Sequence, residues 1–86
     1  MEKRNWWEVI LEEIEKLIPK IKDFDEKKFE IASLGTILQS SILEEKEKQT
    51  VVAKLKEFST KLSSDNLNEN ITHYYLIGLV FTLESS

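Results

Sequence analysis

The stretch from Ile71 to Leu83 limits what this chain can fold into more than any other feature. Its 13 residues contain no acidic or basic side chain other than His73. A bilayer-crossing helix needs about 20 apolar residues, so the run is too short to span a membrane. Its β-branched and aromatic content would suit a strand. It is long for a strand, however, no turn divides it into a hairpin, and no second strand is on offer to pair with it. The remaining reading is a helix. At about 100° per residue, Ile71, Tyr75, Leu79 and Leu83 fall on one side and Leu76 and Val80 extend that side. Tyr74, Ile77 and Phe81 lie well round from it. A helix that is apolar all round is either central or covered by something else. In a chain of 86 residues, three companions cannot wrap it completely.

The rest of the chain also has helical spacing. Trp7, Ile10, Leu11, Ile14, Leu17, Ile18 and Ile21 recur at steps of three and four, the stripe of a first helix. Asn5 with Glu8 suits its start, Glu12 and Lys16 make a favourable pair, and Pro19 ends or kinks it near Leu17–Ile18. Asp23 with Glu26 suits the start of a second helix carrying Phe29, Ile31, Leu34, Ile37, Leu38 and Ile42. Gly35 within it suits close packing against another helix. Two places could separate the second helix from the third. One is Gln39–Ser41, with Ser41 and Glu44 as a capping box. The other is the polar stretch from Glu45 to Thr50. The first is preferred, because it puts Glu44, Glu45 and Glu47 at a helix start and Lys54, Lys56 and Lys61 later, which suits the macrodipole. Val51, Val52, Leu55, Phe58 and Leu62 form the third stripe. The polar segment from Ser63 to Asn70 is the clearest loop, with Asn66 and Glu69, or Asn68 alone, able to cap the last helix. The expected helices span about 6–18 (or 6–22), 24–39, 42–63 and 67–84. Together they make one all-α domain, a small antiparallel bundle of four helices.

Size fits this. Scaling from 10.1 kDa gives a folded surface of roughly 5,300 Å² against roughly 14,600 Å² unfolded, enough burial for one modest core. Leu, Ile, Val and Phe supply 28 of the 86 residues, well above the composition of disordered chains.

Several chemistries find no support. With no cysteine there is no disulfide or thiolate metal site, and with one histidine any cation would rest on carboxylates. Asp23, Asp25 and Glu26 cluster, but they read as charges at a helix start. Ser40, Ser41, Ser63 and Ser64 have no local base, and His73 inside an apolar run reads as a hydrogen-bonded, partly buried imidazole. The two glycines are single and inside helices, so no phosphate-cradling loop forms. No catalytic residue, metal or cofactor is expected, and the chain is not expected to be an enzyme. A net charge of −4 argues against nucleic acid as the main partner, and Lys20, Lys22, Lys27 and Lys28 are interleaved with acids. The basic start Met1–Arg4 mimics a signal peptide, but Glu8, Glu12, Glu13, Glu15 and Lys16 interrupt the would-be apolar region. A soluble, cytoplasmic protein is expected.

What remains is protein recognition, with two candidate surfaces. On the first helix Glu8, Glu12 and Glu15 fall within about 60° of one another, read as opposite the apolar stripe, with Trp6 at the stripe's margin. Such an acidic face could meet a basic protein and speed its association. On the last helix the surplus residues Tyr74, Ile77 and Phe81 are of the kinds that anchor interfaces. The leading expectation is an inhibitor of the immunity or antitoxin type, occluding the active site of a basic toxin such as a nuclease. The alternative is a homodimer or other structural assembly, or an accessory subunit of a larger complex.

Overall fold

The computed structural model describes residues 5–85, so the signal-like start Met1–Arg4 lies outside the described residues. Four helices make up the fold: α1 (Trp6–Leu17), α2 (Lys27–Ser40), α3 (Glu45–Thr60) and α4 (Leu67–Ser85). No strand occurs among the described residues, and the protein is a small all-α bundle.

Each boundary has a local cause. Pro19 closes α1 into a single 3-10 turn, Ile18–Lys20, because its ring cannot sit within a continuing α-helix. The Asn5 side chain does not cap the backbone. Its Nδ2 donates to Glu8 Oε1 at 3.1 Å instead. Lys16 reaches Glu13, at 3.5 Å. The second helix starts at Lys27, three residues later than expected, and neither Asp23 nor Glu26 caps it. Backbone turns from Lys27 N to Phe24 O and from Lys28 N to Asp25 O lead into it. Ile21 is completely buried in the link before it.

The break between α2 and α3 is Ser41–Glu44, so the stretch from Glu45 to Thr50 is helix and not loop. The cap is Glu44 rather than Ser41. The Glu44 amide donates to Glu47 Oε1 at 3.0 Å as part of a capping box, and Ser41 Oγ donates back to Ile37 O. Asn66 caps α4, its Oδ1 accepting the Glu69 amide at 3.0 Å. Phe29, Ile37 and Ile42, expected on the buried stripe of the second helix, are exposed. Only Ile31, Gly35 and Leu38 of α2 are fully buried.

The ties between helices reveal the topology. Trp7 bonds Glu47 and Glu15 pairs with Lys61, so α1 and α3 run parallel. Lys28 bonds Asn68 and Tyr75 bonds Ala32, so α2 and α4 run parallel. His73 meets Ser59 and Lys56 meets Glu84, so α3 and α4 are antiparallel. By the same geometry α1 and α2 are antiparallel too. Two hairpins, α1/α2 and α3/α4, therefore stack with α1 on α3 and α2 on α4. The sequence neighbours α2 and α3 scarcely touch, and neither do α1 and α4.

The core joins Trp7, Leu11 and Ile14 of α1 to Ile31 and Leu38 of α2, Val51, Leu55 and Phe58 of α3, and Leu76, Leu79, Val80 and Leu83 of α4. The body measures 35 × 33 × 19 Å. With helices about 10 Å across, it is two layers thick, and every helix keeps an outer face. Its accessible surface is 5760 Å², above the roughly 5,300 Å² expected of a rounder body of this mass.

Candidate functional site on the outer face of α4

The inner side of α4 is built against α2 and α3. Tyr75 hydroxyl donates to Ala32 O at 3.0 Å and rests directly on Gly35, where a Cβ would collide with the tyrosine Oη and lie 3.1 Å from Leu79 Cδ2. The close packing expected of Gly35 is thus a notch for Tyr75. Burial raises the Tyr75 phenol above its ordinary pKa, and a hydrogen bond from Thr36 partly opposes this. On the α3 side His73 Nδ1 lies 2.8 Å from Ser59 O. A carbonyl only accepts, so Nδ1 carries the proton. Every buried side-chain nitrogen and oxygen among the described residues has a partner.

The outer side differs in kind. Leu67, Tyr74 and Phe81 are 73%, 66% and 68% exposed, and Ile71, expected on the inner side, is 46% exposed. Ile77 is half-buried and Gly78 is open to solvent. A Cβ built on Gly78 meets no atom within 4 Å. Leu67, Ile71, Tyr74, Gly78, Phe81 and Ser85 therefore form one outward stripe along the whole helix. The stripe carries no charge. Ser85 of the stripe and the neighbouring Thr82 donate to Phe81 O and Gly78 O of their own helix at 2.8 and 3.0 Å. Covering the stripe would leave neither hydroxyl without an acceptor. Tyr74 is held from below by an edge-to-face contact with His73, ring centroids 5.3 Å apart at 82°. Because His73 is pinned to α3, that contact orients an otherwise free anchor.

Two exposed side chains flank the stripe. Lys28 bonds Asn68, which sets the next residue, Phe29, at the height of the first turn of α4. At the other end Ile42, 99% exposed, shares a depression with Thr82 and Leu83.

The acidic surface of α1 is arranged otherwise than its sequence suggested. Glu8, Glu12 and Glu15 do not lie opposite the apolar stripe. They line a groove with Trp7, Leu11 and Phe58, on the flank of α1 that faces α3. Lys54 lines the same groove, and Glu15 Oε2 is 3.7 Å from Lys61 Nζ. Trp6 is not beside them. It points from the outer side of α1 with Val9, about 160° round the helix from Glu8. The aromatic ring next to the acids is the buried Trp7, whose Nε1 donates to Glu47 Oε2 at 2.9 Å. The structure thus brings Tyr74, Ile77 and Phe81 onto one helix face, keeps the three glutamates together, and separates Trp6 from them.

Sequence reasoning missed three contributors: Glu47, which completes the capping box of α3 and holds Trp7; Gly78, with its outward notch; and Leu67, read at the end of the polar loop. The four-and-three spacing from Leu67 to Ser85 was the signal that could have found the last two.

No protein-family model matches this chain, and neither curated proteins nor solved structures show a significant similarity to it. No described helix is long and apolar enough to cross a membrane.

Proposed function

We propose that this chain is a protein-interaction module that binds through the outer stripe of α4. The observation that carries the reading is the pair Tyr74 and Phe81, both about two-thirds exposed and aligned on one uncharged helix face. Soluble proteins seldom leave aromatic rings aligned in solvent along one face, and such patches mark association sites. The acidic groove of α1 is the weaker surface, because Lys61 and Lys54 already supply cations there. The net charge of −4 still draws basic proteins from a distance. That favours, as the finer form of the reading, an inhibitor that anchors on a basic toxin through α4.

The test is capture from the native host with three forms of the chain: wild type, Tyr74→Asp with Phe81→Asp, and Glu8→Gln with Glu12→Gln and Glu15→Gln. The expected result is a loss of binding of at least about thirtyfold for the aromatic variant, since two anchors are removed. The glutamine variant is expected to stay within about threefold. The opposite ranking overturns the assignment to α4. A basic enzyme among the captured proteins, silenced by wild type alone, specifies the inhibitor form. Capture of structural proteins alone specifies an accessory subunit.

A further inference from the structure

We propose that the α4 stripe is covered by a second copy of this chain, in a two-fold dimer whose α4 helices cross beside Gly78. This rests on the reading that the stripe is the contact surface, and it names what sits there.

The spacing is the first argument. Leu67, Ile71, Tyr74, Gly78, Phe81 and Ser85 succeed one another by steps of four and three without exception. That is the 3.5-residue repeat with which two helices interlock.

The glycine is the second. Gly35 is explained within the chain, because Tyr75 fills the place of its missing side chain. Gly78 has no such neighbour, although glycine inside a helix costs about 1 kcal/mol relative to alanine. Its use lies outside the chain. A two-fold axis beside Gly78 sets Tyr74 of one copy against Phe81 of the other, and does so twice. The notch at the crossing point lets the two backbones approach. The surface is thus its own complement, as a two-fold interface requires.

Charge and area are the third. Each copy carries −4, yet the stripe is neutral, so two copies can meet there without apposing their acids. At rest a second copy therefore covers the stripe, and a tighter-binding partner on the same surface would displace it. Tyr74 and Phe81 each offer on the order of 100–150 Å² of exposed surface. With Leu67, Ile71 and the flanking Phe29 and Ile42 the patch reaches on the order of 700 Å² per copy, close to the ~800 Å² per partner of a standard interface. A reversible dimer, dissociating in the micromolar range, is expected.

Sedimentation equilibrium on the purified chain decides the matter, with circular dichroism to verify folding. Wild type is expected to dimerise. Phe81→Asp should be monomeric at concentrations where wild type is dimeric. Gly78→Gln is the discriminating variant. It improves helix propensity, and its Cβ meets no atom of its own chain within 4 Å, so the monomer should melt higher while the dimer weakens at least about tenfold. A wild-type chain that stays monomeric at high micromolar concentration overturns the dimer. So does a dimer indifferent to both substitutions. Neither result touches the capture experiment, so the choice of occupant and the choice of surface fail separately.

Discussion

On its inner side α4 presses Leu76, Leu79, Val80 and Leu83 into the core and sets a glycine of α2 against Tyr75. On its outer side it holds Leu67, Tyr74 and Phe81 in solvent around a glycine of its own. The residue types are nearly the same on both sides. What differs is the provision for partners. On the inner side each buried side-chain polar atom among the described residues has a partner and the Gly35 notch is filled, while on the outer side Thr82 and Ser85 turn back on their own helix and the Gly78 notch is empty. Apolarity therefore does not identify a core residue here; completed packing does.

The sharpest way to break that comparison is a pair of truncations. Leu76→Ala, at a side chain with no exposure, is expected to cost about 2–5 kcal/mol in urea unfolding. Phe81→Ala, in dilute solution where the chain is monomeric, should cost less than about 0.5 kcal/mol. Equal losses would mean that the outer stripe is part of the core.

Next in size is Glu47→Ala. It removes the acceptor of both the Trp7 indole and the Glu44 amide, and about 1–3 kcal/mol should be lost, with the near-ultraviolet signal of Trp7 altered. Glu47→Gln, which keeps an oxygen acceptor, should recover part of the loss.

The two glycines give a smaller contrast, of opposite sign. Gly35→Ala forces the Tyr75 ring away from its bond to Ala32, a net cost of about 1–2 kcal/mol after the gain in helix propensity. Gly78→Ala meets nothing and should raise monomer stability by about 0.5–1 kcal/mol. Thermal melts of the two variants at low concentration measure both. A destabilising Gly78→Ala would show that the outer notch is already filled from within.

The smallest effect is alkaline. Burial holds the Tyr75 phenol above its ordinary value of 10.0. The unfolded chain therefore ionises there first, and the associated stability is present below about pH 10 and is lost as pH rises through the raised folded value. Tyr75→Phe should flatten the fall in stability relative to wild type over that range.

Helix number and type were legible because Trp7, Leu11, Ile14 and Ile18 repeat at helical steps, as do Val51, Leu55, Phe58 and Leu62. Such periodicity is a local property of the chain. Asn66 and Pro19 marked their boundaries for the same reason, since a cap and a missing amide act within one turn. Ser41 misled because its neighbour Glu44 competes for the same role, and that competition is decided by Glu47, which is also needed by Trp7 40 residues away. Phe29 and Ile37 misled because α2 meets α1 and α4 but not α3, so its buried arc is narrower than its apolar one. The glutamates of α1 were correctly grouped and wrongly aimed, because helix angle gives their mutual spacing but not the direction from which α3 approaches.

From the amino-acid order alone came the four helices, their approximate limits and the surplus of apolar surface on the last of them. Those arise from interactions within a few residues. Which hairpin stacks on which, which glycine is filled, and which side of α4 is left to solvent were decided only in the tertiary structure. They depend on the packing of segments distant in sequence, where a two-layer body 19 Å thick leaves each helix one face it cannot bury.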